Sequence, residues 1–399
     1  MLHRKRIAVW WIFPCKAISG VFRELAEMGF TIDVVFLNAM SADRVKLGWW
    51  MPDFGRATVR YLPQVGPERD EFLNQFPFAD YDLHLVNGFY VNRESDIIVE
   101  RLKGMKIALG VLTEAPFNGF FGLKRVMKYL YLALVVPFRG RKLASYALFV
   151  CCLSGAGAVS FRWLRWFGFR KDRIFPFGYF SEEPGEMRTD ASEVGTPPLL
   201  VCTGYLTRNK GQLLLLQALL KLRTRGVEFR CVITGFGPER ERLQAFIDRY
   251  QLSGSVQLVG VVAADELNRI QAEADIFVAP GYEEPWAIRI NEALQSGCPV
   301  VLSDRIGAAE LVRASGGGMT FRSGNVDRLT EALFELLTQS EKLKAMKKKV
   351  IEYRPRLHPR EPARYLSDII FYVIDGATRP CMPVWLRGPE YGNSFPYNS

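Results

Sequence analysis

The chain has 399 residues, 49% of them hydrophobic, and a formal net charge of +10. That length predicts two domains with cores of their own, and the composition excludes a disordered or low-complexity chain. The basic balance points to phosphorylated small molecules, anionic membrane surfaces or nucleic acid as partners.

Met1–Arg6 is basic, but Ile7–Phe13 and Pro14 lack a cleavage-site pattern and read as a first strand rather than a signal peptide. Ile18, Val21, Phe22 and Leu25 then recur at helical spacing, Gly29 closes that helix, and Thr31–Leu37 is the next strand. This βαβ opening predicts a doubly wound α/β domain. Further strands are predicted at Thr58–Leu62, Leu83–Val86, Lys106–Val111 and Leu148–Leu153. Residues 182–198, polar and rich in Gly and Pro, read as a linker. A second alternation starts at Leu199–Thr203, with strands at Phe229–Ile233, Val256–Val259, Ile276–Ala279 and Pro299–Leu302. Its helices fall near 211–224, 239–250, 264–274 and 286–296. Asp327–Thr338 reads as an amphipathic helix, Lys342–Lys349 as a solvated one, Tyr365–Ile374 as an apolar one, and the tail from Thr378 as irregular. The expected units are 1–181, the linker, 199–360, and 361–399 as a helix with a tail. Seven cysteines without a C-x-x-C pair predict a reducing, cytoplasmic setting, and no run of ~18 apolar residues predicts a simple membrane span.

Residues 281–299 concentrate the chemistry. Pro285 suits the first turn of a helix that Gly297 and Pro299 stop. Glu284 then lies in a strand-to-helix loop, with Glu292 roughly 12 Å further along at helical rise. The N–H groups of Trp286, Ala287 and Ile288 would lack intrahelical partners and form an anion site. Arg208 and Lys210 follow the Leu199–Thr203 strand, where fixed cations would stabilise a departing diphosphate. Gly235-Phe-Gly237-Pro238 also joins a strand to a helix, but a lone G-x-G is a weak signal.

Glu284 and Glu292, seven residues between them, resemble the E-x7-E signature of retaining GT-B glycosyltransferases, specifically glycosyltransferase family 4. Residues Gly204–Gly211, Gly235–Pro238, Val259–Val262 and Ser303–Ala309 resemble further family landmarks in family order. The resemblance is specific over residues ~199–340 and loose before them. It implies two Rossmann-like domains facing across a cleft, a UDP- or GDP-sugar donor held mainly by the second, and no required metal or other cofactor. It implies donor-sugar contacts for Glu284, ribose contacts for Glu292, and a base contact for the backbone at Val262. It also implies that Gly235 and Gly237 lie near the nucleotide, and that the C-terminal helix crosses back onto the first domain. The chain departs from the family pattern at Tyr205, where an Arg is usual, at Ala287, where a Gly is common, and at Arg289, where an apolar residue is usual. Arg208 is a candidate replacement for the missing guanidinium.

The first domain is less informative. Lys16 reads either as a phosphate contact at a helix start or as a surface lysine. Asn87 ends a strand where relatives often carry a His, and Glu114 ends the next, facing the cleft under the crevice rule. Asp80-Tyr-Asp82 precedes its strand, the wrong end for metal chemistry, and three dispersed histidines argue against a His-based metal centre. Two basic aromatic stretches, Phe120–Lys142 and Arg162–Lys171, read either as contacts with an anionic membrane or as core helices with charged rims. No nucleic-acid-binding motif is present.

The expected function is sugar transfer from a UDP- or GDP-linked donor to a glycan or lipid-linked acceptor in surface polysaccharide or glycolipid synthesis. Lys210, Glu284 and Arg208 are the expected catalytic set. Glu292, Trp286, Ala287, Ile288, Gly235, Gly237, Val262, Glu114, Asn87 and Lys16 are the expected substrate contacts. The chain is expected in the cytoplasm, at the inner face of the cell membrane if the basic stretches touch lipid. The alternative is a non-catalytic nucleotide-sugar or glycan-binding subunit of a membrane-associated assembly.

Overall fold

The computed structural model describes residues 5–42, 45, 51–64, 66–88, 93–114, 121–154, 158–182, 187–191 and 194–388. Parts of the predicted linker, the start of the first basic aromatic stretch at Phe120 and the end of the tail lie outside the described residues. The first sheet holds β1 (Arg6–Trp11), β2 (Thr31–Phe36), β3 (Thr58–Tyr61), β4 (Leu83–Asn87), β5 (Leu109–Thr113), β6 (Phe149–Cys152) and β7 (Ile174–Pro176), in the order β3-β2-β1-β4-β5-β6-β7. The second holds β8 (Leu199–Thr203), β9 (Arg230–Thr234), β10 (Val256–Gly260), β11 (Ile276–Ala279), β12 (Val300–Ser303) and β13 (Gly318–Phe321), in the order β10-β9-β8-β11-β12-β13. Among the described residues every strand pairing is parallel, as two Rossmann-like domains require. The inner strands are continuous apolar runs because both faces of a parallel sheet are covered. Each order reverses once, at β1/β4 and at β8/β11, and such reversals open crevices at the carboxyl ends of the strands.

Most predicted strands shift by one or two residues at an end, β5 shifts by three at its start, and β7 and β13 were not predicted. β5 starts at Leu109 rather than Lys106, because the Arg93–Met105 helix closes through Lys106 with φ of 57° and an Ile107 N–H bond to the Leu102 carbonyl. β7 and β13 are short edge strands, of three and four residues, and neither is a continuous apolar run of four.

Two buried features correct the reading of the C-terminal part. Lys347 is fully buried and pairs with Asp275 at 2.6 Å, so the Lys342–Lys349 segment is not wholly solvated. The tail is anchored, since Trp385 is fully buried against Phe177, Phe180 and Tyr365. The Arg360–Asp375 helix lies against the first domain: Arg360 pairs with Glu24 at 3.1 Å, Asp375 with Lys5 at 2.7 Å, and Phe371 packs on Phe30. One apolar core therefore runs from β1 through to Trp286, Ile290 and Trp385.

Candidate active site

β8 and β11 are neighbours, so the loops leaving their carboxyl ends meet. The loop after β8 makes one tight turn at Arg208–Lys210 and leaves through Gly211, whose φ is 73°. A Cβ at Gly211 would stand 2.3 Å from the Pro280 carbonyl oxygen, so only glycine permits this approach. The result is a pair: Lys210 Nζ lies 2.5 Å from Glu284 Oε2, with Lys210 35% and Glu284 11% exposed at the side chain. The Glu284 backbone is clamped, its N–H donating to the Arg305 carbonyl at 3.2 Å and its carbonyl accepting from Gly307 at 3.1 Å. Arg208 lays its guanidinium 4.2 Å over the Phe121 ring.

The helix expected from Trp286 begins three residues later, at Arg289, and ends at Gln295. Ala287 has φ of 72°, a left-handed conformation that costs an L-residue free energy and stops the helix from extending backwards. Pro285 consequently lies in a loop and not in a first turn. The N–H groups of Ala287 and Ile288 still have no backbone acceptor among the described residues. A left-handed residue followed by a right-handed one, Ile288 at φ −54° and ψ −27°, turns successive N–H groups toward one point, the geometry of an anion nest. The feature expected of a helix end is thus supplied by a kinked loop.

Trp286 does something the sequence did not signal. Its side chain is 1% exposed, wedged into the last segment of the first domain, where a Cβ on Gly178 would meet the indole at 2.4 Å. Its Nε1 donates to Asn291 Oδ1 at 2.8 Å and to the Tyr179 carbonyl at 3.2 Å. The residue expected as a backbone contact is a packing element between the two domains.

Glu292 is buried and faces the first domain. Its Oε1 lies 2.6 Å from Lys16 Nζ, at the start of the Lys16–Glu27 helix, and its Oε2 lies 2.6 Å from Arg289. Burial pushes its carboxyl up, but Arg289 and Lys16 outweigh that and hold it below the usual carboxylate range. Since Lys16 follows β1 and Glu292 follows β11, this pair brings the two crevice mouths face to face.

Residues 185–353 match the family model described as glycosyl transferases group 1. This stretch is a group 1 glycosyltransferase domain. A GDP-mannose-dependent alpha-(1-6)-phosphatidylinositol monomannoside mannosyltransferase of Mycobacterium tuberculosis is 34% identical over 160 residues, 38% of this chain and 42% of the relative. The amylovoran biosynthesis glycosyltransferase AmsK of Erwinia amylovora is 30% identical over 146 residues, 35% of this chain and 36% of the relative. The match therefore spans less than half the length of each curated relative. Among solved structures, Anabaena Alr3699/HepE in complex with UDP superposes with a TM-score of 0.67 at 15% identity, covering 91% of this chain and 98% of that one. Sucrose-phosphate synthase of Thermosynechococcus elongatus gives 0.65 at 16% identity, covering 94% and 100%. At such identity the structures speak for the fold alone, and that fold is GT-B.

Within the group 1 domain, Gly235 and Gly237 have an immediate packing reason. A Cβ would stand 1.8 Å from the Gly204 carbonyl oxygen at Gly235 and 2.4 Å from that of Leu206 at Gly237. They let the loop after β9 lie flat on the loop after β8. Val262 is half-buried just beyond β10. In the first domain, Glu114 directly follows β5 and accepts from the Tyr179 hydroxyl at 2.9 Å. Asn87 faces inward: it is 6% exposed and its amide donates to the Leu112 carbonyl at 3.1 Å, which ties β4 to β5. That bond uses one of the two amide hydrogens of Asn87. Sequence reasoning missed Tyr179, which touches both Glu114 and Trp286, and left Arg289 undecided. Neither sits in a pattern that marks it, since each acts through a contact distant in the chain.

Proposed function

We propose that the chain transfers a sugar from a UDP- or GDP-linked donor to a glycan or lipid-linked acceptor with retention at the anomeric carbon. The observation that carries this reading is the Lys210–Glu284 pair at the β8/β11 reversal of a group 1 domain, opposite the β1/β4 reversal of the first domain. Lys210 and the Ala287–Ile288 nest receive the diphosphate and stabilise its charge as the glycosidic bond breaks. Glu284, positioned by its backbone clamp, holds donor hydroxyls. Glu292 keeps lone pairs beyond its two cations, since a carboxylate offers about four acceptor sites, and these accept from the ribose. A departing phosphate oxygen takes the proton of the acceptor hydroxyl, so no protein nucleophile is needed. The working units are residues 1–181 and 199–360, and Glu114 faces the acceptor side.

Both bases are retained because one relative is named for GDP-mannose and one structural neighbour was solved with UDP. The test is nucleoside diphosphate release from a panel of UDP- and GDP-sugars with glycan and lipid-linked acceptors. Release from at least one donor, increased by an acceptor, is expected. A folded chain that consumes none of them would end the reading.

The inner membrane face is the proposed workplace. The Leu123–Leu134 helix exposes Leu123, Val126, Met127, Leu130 and Leu134 along one side, and Phe138 extends that apolar stripe. Lys124 and Lys128 flank the stripe, the arrangement of a helix lying in the headgroup zone. The second basic stretch instead packs inward, with Leu164 and Phe167 fully buried. No described helix is long and apolar enough to cross a membrane. Sedimentation with anionic but not neutral vesicles is the expected result, and Leu130→Glu should reduce it. Equal recovery with both vesicle types would contradict this placement.

A further inference from the structure

We propose that a second pocket, ringed by arginines and sharing a wall with the Lys210–Glu284 pair, binds an oxyanion carried by the acceptor. The ligand chemistry is a carboxylate or a phosphate ester, and its assignment to the acceptor rests on the donor reading above. The pocket has a volume of about 340 Å³, within the ~300–1,000 Å³ range of small-molecule sites. Its floor is the loops leaving β11, β12 and β13, at Tyr282–Glu283, Asp304–Arg305 and Arg322–Gly324. Its roof comes from the first domain, where Phe121 meets Tyr282 edge-to-face at 5.4 Å and Arg125 approaches Glu283 at 4.0 Å.

Position identifies the role. Asn209, next to Lys210, donates to the Glu283 carbonyl at 2.8 Å, and Tyr282 donates to the Asn209 carbonyl at 2.8 Å. These bonds form the partition between the pocket and the Lys210–Glu284 pair. The loops assigned to the nucleotide, at Gly235, Gly237 and Val262, leave β9 and β10 on the other side of that pair. A group bound beyond β11 therefore lies across the reacting centre from the nucleotide, where the acceptor must enter.

Charge identifies the ligand. Three guanidinium groups, Arg125, Arg305 and Arg322, face two carboxylates. Both carboxylates are already engaged: Glu283 lies between Arg125 at 4.0 Å and Arg305 at 3.9 Å, and Asp304 accepts from the Ser323 N–H at 2.9 Å. The Arg322 side chain has no ion pair or hydrogen bond among the described residues, although its carbonyl accepts from the Asn325 N–H. The wall thus retains an excess positive charge and a planar fork suited to bidentate oxyanion recognition.

Binding of methyl glucuronide, glucose 6-phosphate and methyl glucoside to the full chain tests this, with UDP and GDP as competitors. It is measured for the wild type and for the double variant Arg305→Gln, Arg322→Gln. At least one anion should bind ~10-fold or more tightly than the neutral glucoside, and UDP should not displace it. The double variant should weaken that anion by ~10-fold or more and leave UDP affinity unchanged. Preference for the glucuronide assigns a uronate, and preference for the phosphate assigns a phosphoryl group. Displacement by UDP, equal binding of the glucoside or an unaltered double variant would each overturn the proposal. Failure of both UDP and GDP to bind would strike the donor reading alone, while failure of the anion arms strikes this one alone.

Discussion

Lys210→Ala should lower turnover by ~10²-fold or more, the effect of deleting one preorganised group that stabilises developing charge. The side chain is placed for this work by a turn that only Gly211 can complete, and its 2.5 Å contact with Glu284 fixes the ammonium at the reversal point of the second sheet. The loss should fall mainly on kcat, because diphosphate charge grows between bound donor and transition state. Removing the cation also leaves the Glu284 carboxylate without its partner at a site only 11% exposed. A melting curve run beside the assay separates that structural cost from chemistry. Full activity in a folded variant would remove Lys210 from the mechanism.

Trp286→Ala should cost about 3–5 kcal/mol of unfolding free energy, as for emptying a large buried aromatic site. The indole is 1% exposed, fills the space over Gly178, and satisfies its N–H against Asn291 and the Tyr179 carbonyl. The cavity cannot close easily, because its walls belong to two domains held by further contacts such as Lys16–Glu292. Activity should fall with stability, since the Trp286 carbonyl accepts from Ala308 beside the Glu284 clamp. Denaturant melting of the variant checks this. An unchanged midpoint would mean that the indole does not join the domains as described.

Much of the fold was legible because parallel strands buried on both faces write themselves as apolar runs. Ile276–Ala279 was placed to the residue, and the inner strands of both sheets were found. Edge strands β7, Ile-Phe-Pro, and β13, Gly-Met-Thr-Phe, were missed because neither is a continuous apolar run of four residues. The E-x7-E spacing located Glu284 and Glu292, but a helix start read from Pro285 went astray at Ala287. A left-handed backbone at a residue other than glycine has no local sequence signal. Lys347 in a lysine-rich helix looked solvated, yet one turn of that helix faces Asp275. The bond by which the Asn87 amide ties its strand to the next joins residues 25 positions apart, so no local pattern marks it. The ion pair between Lys16 and Glu292 joins residues from opposite domains, and only the assembled fold brings them together.

A crystal soaked with UDP or GDP tests the shared premise most directly. The account predicts a pyrophosphate within hydrogen-bond distance of Lys210 Nζ and of the Ala287 and Ile288 N–H groups. Nucleotide bound elsewhere, with Lys210 still closed on Glu284, would contradict it.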